Sequence, residues 1–310
     1  MYFKHNVTLA PYTTFKVGGR ASLFVEVNSP IELAEALETA ERESLPVFVL
    51  GGGSNVLFSD KGFSGLVIRM VDGGMLVKGD GHLTAGAGIP LQDVVSAAAE
   101  NSMGGLETLA GIPGSFGGAL RGNAGAFGND IGRHVVSVKT FHKETGMVKE
   151  MPAKDCGFGY RESYFKKHPH IVILSATLRL EPGGVREDIR RVMRETVAKR
   201  EEKHSQSALC AGSFFVNPMV ADQALRKDFE LESGAACRDN KVPAGWLIDL
   251  VGLRGKTIGG AMVSMDHPNY LINTGNAKAE DILILSSLVK TRVRDELGVM
   301  LTEEVNLVGF

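Results

Sequence analysis

Residues 111–128 constrain this chain more than any other stretch. They read Gly-Ile-Pro-Gly-Ser-Phe-Gly-Gly-Ala-Leu-Arg-Gly-Asn-Ala-Gly-Ala-Phe-Gly, with seven glycines in eighteen positions and one charge, Arg121. A flexible linker pairs glycine with serine, not with Ile, Phe, Leu and Asn. Glycine among apolar residues marks backbone brought close to another group, or held at positive φ where a side chain would clash. Bare N–H groups in such turns form concavities that hold anions. Two readings stay open from these glycines alone. One is a loop lying against a large phosphate-bearing cofactor. The other is a buried, tightly turned loop with no ligand.

A second cluster shifts the balance. Val47-Phe48-Val49-Leu50 predicts a buried strand, and it runs straight into Gly51-Gly52-Gly53-Ser54-Asn55-Val56-Leu57. A strand that stops at three glycines, then Ser and Asn, suits backbone wrapped around a pyrophosphate. It is not a Walker loop, since no G-x-x-x-x-G-K-[ST] occurs. It is not the dinucleotide fingerprint either, because Val56 stands where the third glycine belongs. Gly86-Ala87-Gly88 fails the same test at Leu91. The pair of loops points to another nucleotide-binding architecture.

Composition narrows the partners. At 310 residues, two or three domains are expected. The net charge of −2 gives no basic excess for a nucleic acid. No apolar run reaches membrane-spanning length, and the N-terminus opens no signal peptide, so a cytoplasmic protein is expected. Three widely spaced cysteines, Cys156, Cys210 and Cys237, suit reduced thiols. His168-Pro169-His170 and His267-Pro268 lack metal-ligand spacing, so no metal site is expected.

In chain order, Ser29-Pro30-Ile31-Glu32 predicts a capped helix with Glu32 completing a capping box, and Leu33, Ala34, Leu37 and Ala40 inward. Strands follow at 65–70 and 83–87, and a helix begins at Pro90. A hairpin is predicted from 135–142 and 147–151, then a strand over 171–180. An amphipathic helix over 185–203 places Val185, Ile189, Val192, Met193 and Val197 on one face. A domain boundary is expected near 201–207. Beyond it come a helix around 244–251, strands near Met262 and Leu271, a helix over 279–297 and a strand over 299–308.

Three further clusters could carry chemistry. Arg161 sits among Tyr160, Tyr164 and Phe165, either stacked and structural or aimed at a carboxylate. Ser213 follows Gly212 in an apolar run; a lone serine usually bonds backbone, and no hydrolase triad spacing supports it. Glu303 and Glu304 lie in an apolar stretch, on opposite faces if extended, and both could be plain surface residues.

Taken together and in this order, these clusters resemble the UDP-N-acetylenolpyruvoylglucosamine reductase family. The pieces that carry the resemblance are 13–19, 50–57, 105–128, 160–165, 212–218, 247–264 and 301–309, and they span essentially the whole chain. The short segment between Arg161 and the helix at 185 matches the subclass lacking an extra tyrosine-bearing loop.

The resemblance implies an α+β protein of three domains. Two of them, 1–70 closed by 299–310 and 71–204, would form a vanillyl-alcohol-oxidase-type FAD-binding module. The third, 205–298, would bind the UDP-sugar. FAD would be held without a covalent link by Gly51, Gly52, Gly53, Ser54, Asn55, Val56, Leu57, Gly111, Ile112, Pro113, Gly114, Ser115, Gly117, Gly118, Asn123 and Ile173. NADPH would reduce the flavin and leave. The flavin would then pass hydride to C3 of the enolpyruvyl group of UDP-N-acetylglucosamine enolpyruvate, forming UDP-N-acetylmuramate for peptidoglycan precursors. The implied setting is cell-wall biogenesis, with its links to cell shape and division. A monomer acting on a small-molecule substrate, with no nucleic acid and no membrane, is expected.

Within that scheme Arg161 would stabilise the enolate beside the substrate carboxylate. Glu304 would sit with it, as a charge or as a protonated donor. Ser213 would deliver a proton to C2. Tyr160, Asn217, Arg254, Lys256 and Asn269 would contact the substrate. Three departures stand out. Val216 replaces a common lysine, which leaves phosphate neutralisation to Arg254 or Lys256. Leu120-Arg121-Gly122 replaces an apolar-Tyr-Met run, and Asn306 replaces an arginine. A flavin protein without this chemistry is the second reading, against which Ser213 and Glu304 argue. A covalent flavin oxidase is the third, but residues 45–130 offer it only His82.

Overall fold

The computed structural model describes residues 1–71, 73–203 and 207–310. Its internal contacts divide the chain into two units: Met1–Val7, Ala21–Gly53 and Phe63–Gln206 form one, and Thr8–Arg20, Ser54–Gly62 and Ser207–Phe310 the other. The predicted boundary at 204/205 falls outside the described residues.

The first unit is built on two sheets. One has the strand order Lys4–Thr8, Arg20–Val27, Phe63–Met70, Val47–Leu50, and its last three strands run parallel. The helix Pro30–Arg42 makes the crossover between the two strands on either side of Phe63–Met70. Leu33, Ala36 and Ala40 of that helix bury against Leu23, Val25, Leu66 and Ile68. Ser29 accepts the Glu32 N–H, as a cap should, but the Glu32 carboxylate takes the Asn28 N–H at 2.8 Å, one residue earlier than a capping box requires.

The second sheet is antiparallel, in the order Val148–Pro152, Val135–His142, Ile171–Arg179, His82–Gly86, Met75–Val77. Its core takes in Leu91, Val94, Val95 and Ala98 from the helix Leu91–Glu100. The charged helix begins at Arg186, so Val185 precedes it and is 65% exposed rather than inward.

The glycine stretch holds a helix, Phe116–Gly122, that the glycine content conceals. Ser115 caps it by accepting the Gly118 N–H. Phe116, Ala119 and Leu120 are buried, and that packing outweighs the low propensity of three glycines.

In the second unit, Thr257–Ile258, Ala261–Val263 and Leu271–Asn273 form an antiparallel sheet. The helices Ala244–Leu250 and Ala279–Leu297 pack in one core with Phe214 and Phe215, and with Phe15, Val17 and Leu57 from early in the chain. Asp60 accepts the N–H groups of Ala279 and Glu280, each at 3.0 Å, and so joins segment 54–62 to the long helix. The C-terminal strand is shorter than its alternation predicts. Only Asn306–Val308 pairs, in parallel with Val56–Phe58, while Glu303 makes a single bridge to Phe215. Burial of Leu301 and Val305 produces the alternation upstream without a continuous ladder.

Candidate active site

In the first unit the two glycine turns lie against each other. A Cβ on Gly51 would come within 2.4 Å of Ser115 Oγ, and one on Gly52 within 2.6 Å of Gly114 Cα and 2.7 Å of Ser115 N. Real Cβ atoms do not approach backbone so closely, so Gly52 is required by the contact itself. The result is bare main chain from two turns, beside the capped start of Phe116–Gly122. This surface fits a diphosphate-bearing group, which needs backbone approach and N–H donors more than side chains. Gly111 donates to Gln92 Oε1 at 2.9 Å, which anchors the second turn. Ile112 packs on the core, and Ile173 is buried on its strand.

Arg161 also belongs to the first unit. It lies in the turn Gly159-Tyr160-Arg161-Glu162, closed by paired backbone bonds of 3.0 and 3.1 Å between Gly159 and Glu162. Its φ is +56°, a left-handed conformation uncommon for arginine. The guanidinium carbon stands 5.7 Å from the Tyr160 ring centre, and Tyr160 is 47% exposed. Beyond the turn, Ser163 donates to Arg121 O at 2.6 Å.

In the second unit Ser213 opens a segment gripped on both edges. Along one edge Phe214 N–H donates to Asn269 O at 2.7 Å. The Asn269 side chain then takes the Phe215 N–H at 3.0 Å and donates to Phe215 O at 2.8 Å. Along the other, Glu304 N–H donates to Phe214 O at 2.8 Å and Val216 N–H to Thr302 O at 3.0 Å. Phe214 and Phe215 are fully buried and hold the segment down. Gly212 has φ +73° with open space around its Cα, so conformation rather than crowding calls for glycine there. Ser213 and Glu304, distant in sequence, are thereby brought onto adjacent backbone. Asn55 Nδ2 donates to Glu304 O at 3.2 Å, and Asn55 O accepts from Asn306. Glu303 is half-buried and pairs with Lys290 at 2.8 Å.

A cavity of about 280 Å³ opens beside this segment, lined among others by Ser213, Asn217, Trp246, Arg254, His267 and Asn269. Asn217 Oδ1 accepts the Ala244 N–H at 3.0 Å, at the start of helix Ala244–Leu250. Arg254 holds Asp249 through two bonds, 2.9 and 2.6 Å, and also reaches Met265 O. The Arg254 hydrogen bonds keep the Asp249 carboxyl below the usual carboxylate range. Lys256 is exposed and outside the lining. Trp246, whose indole donates to Glu232 at 2.8 Å, was not singled out from the sequence. Its only signal there is that it is the one tryptophan, just inside a helix that follows a proline.

Residues 203–308 match the model of the UDP-N-acetylenolpyruvoylglucosamine reductase C-terminal domain, and residues 21–151 the FAD binding domain. The chain is 37% identical to the UDP-N-acetylenolpyruvoylglucosamine reductase of Solibacter usitatus over 97% of this chain and 95% of that one. It is also 37% identical to that of Synechococcus sp. strain JA-3-3Ab, over 98% and 90%. The chain belongs to the UDP-N-acetylenolpyruvoylglucosamine reductase family. The crystal structure of the reductase from Thermus caldophilus superposes with a TM-score of 0.78 at 32% identity, covering 99% of this chain and 100% of that one. Membership of this reductase family establishes the α+β architecture with an FAD-binding domain followed by the family's C-terminal domain. Among the described residues no helix is long and apolar enough to cross a membrane.

Proposed function

We propose that this chain is the cytoplasmic, NADPH-dependent enzyme that reduces UDP-N-acetylglucosamine enolpyruvate to UDP-N-acetylmuramate, acting as a monomer. The observation that carries this reading is the pinned Ser213 segment, with Glu304 alongside it and the cavity of Asn217, Arg254 and Asn269 next to it. We assign FAD to the segments 1–70, 71–204 and 299–310, and the UDP-sugar to 205–298. The paired glycine turns, with Gly51–Leu57, Gly111–Ser115, Gly117 and Gly118 as their contact residues, suit the diphosphate of FAD. Bound flavin, reduced by NADPH, supplies hydride to C3 of the enolpyruvyl group.

The protein's own part is to manage charge and a proton. Hydride arrival leaves an enolate at C2 and the carboxylate. Arg161 offsets that charge with its guanidinium, carried on a turn whose backbone is held by hydrogen bonds, and Glu304 is assigned to the same electrostatic role. The Ser213 hydroxyl then donates its proton to C2 and is reprotonated from solvent. A serine is a weak acid, so the step depends on a fixed donor position, and the bonds that pin Phe214, Phe215 and Val216 directly after Ser213 support it. Asn217, Arg254 and Asn269 bind the sugar nucleotide, with Tyr160 and Lys256 assigned to the same substrate.

The test is stopped-flow measurement of the two half-reactions on purified protein. The expected result is a yellow protein that releases free FAD on heating, is bleached by NADPH and is reoxidised by the enolpyruvyl substrate. A yellow protein whose NADPH oxidation is not accelerated by that substrate would sink the proposal.

A further inference from the structure

We infer that Asn123 is a positioning residue for Arg161, and that its side chain serves the Arg161 turn rather than the flavin. The role of Arg161 rests on the function proposed above; the contact between Asn123 and the turn does not.

Asn123 ends the helix Phe116–Gly122 at φ +44°, ψ +60°, and it is 2% exposed. Asparagine adopts this left-handed conformation more readily than other residues with a side chain. Its Nδ2 donates to Gly159 O at 2.7 Å, and its Oδ1 accepts the Gly132 N–H at 2.9 Å. Gly159 O is also the acceptor of the Glu162 N–H that closes the Arg161 turn. The amide therefore braces the turn at its base. Lys166 Nζ bonds Arg161 O at 2.8 Å, and Ser163 Oγ bonds Arg121 O, two residues before Asn123. A left-handed arginine is a strained arrangement that surrounding contacts must hold in place. Asn123 and Ser163 both tie it to one end of the glycine helix. The same helix that begins at the bare glycine turn thus ends on the support for Arg161.

Asn123→Asp separates the two bonds. Aspartate tolerates the left-handed backbone and keeps an acceptor for Gly132 N–H. It loses the donor to Gly159 O and sets a carboxylate against that carbonyl. The holoenzyme should keep its flavin and its NADPH half-reaction within about twofold. The half-reaction with the enolpyruvyl substrate should slow by about 10²-fold, the size of a misplaced catalytic group. Amide exchange at Gly159 and Glu162 should rise while residues 116–122 keep their protection. In an Arg161→Ala background the substitution should add nothing to the slowing, since both act through one group. Asn123→Gly, which keeps the backbone conformation, should reproduce the kinetic split if the aspartate variant folds poorly. Equal slowing of both half-reactions, additivity with Arg161→Ala, or unchanged exchange at Gly159 and Glu162 would overturn the inference. A wild-type protein without reductase activity would remove the function proposed above, while the exchange measurement would still decide the contact.

Discussion

The glycine turns of the first unit meet main chain to main chain, whereas the cavity of the second unit is walled by side chains that are themselves tied by hydrogen bonds. Where backbone meets backbone, what matters at a position is the absence of a Cβ. Where side chains line the wall, what matters is the group at its tip and the bonds that hold its orientation. The first kind of site fails when a methyl group is added. The second fails when a functional group is removed.

Ser213→Ala is the hardest test of that contrast. Product formation should fall by about 10²-fold or more while NADPH still reduces the flavin at its normal rate. Equal losses in the two half-reactions would remove Ser213 from its assigned step. Gly52→Ala should do the opposite. Overpacking of this kind costs about 1–3 kcal/mol, so FAD retention should weaken by about 5- to 150-fold. Flavin-to-protein absorbance ratios and titration of the apoprotein measure it; a full complement of tightly held FAD would mean that the turns part freely. Arg254→Gln should raise KM for the sugar nucleotide about tenfold with kcat unchanged, as for uniform binding through a charged hydrogen bond. An unchanged KM would mean that Asp249 keeps the guanidinium from the substrate.

The smallest effect concerns acid stability. Burial holds His134 below its ordinary pKa of 6.5. Its neutral form is favoured in the fold, so this contribution is complete above about pH 6.5 and is lost as pH falls through the lower folded value. His134→Gln should flatten the acid limb of a denaturation-midpoint series between pH 5 and 7.5. An unaltered slope would show that another group governs that limb.

Much of the local structure was legible because its signals lie within a few residues. Ser29-Pro30 announces the helix that follows, Thr145-Gly146 the hairpin, and the apolar spacing of Ile282, Leu285, Leu288, Val289 and Val293 the long helix, in which Leu288 is only partly buried. The helix inside the glycine stretch was hidden, because propensity argues against it and only the burial of Phe116, Ala119 and Leu120 reveals why it forms. The strand expected over 299–308 was overextended, since buried alternation does not by itself imply a ladder. Ser213 and Glu304 were legible as residues of interest. The reason they lie on adjacent backbone, a bond from Glu304 N–H to Phe214 O, was not.

The sequence by itself determined where backbone had to be bare, where helices and strands begin, and which side chains carry usable chemistry, because these depend on residue type and short spacing. Tertiary structure alone decided that Asp60 caps a helix 219 residues away. It also decided that Asn269 clasps Phe215 and that the Asn123 amide reaches Gly159. Such bonds join groups whose separation along the chain carries no periodic signal. For Asn123 and Asn269 they form where packing has removed water and left a buried amide that must find a partner, whereas exposed Asp60 answers the free N–H groups at a helix start.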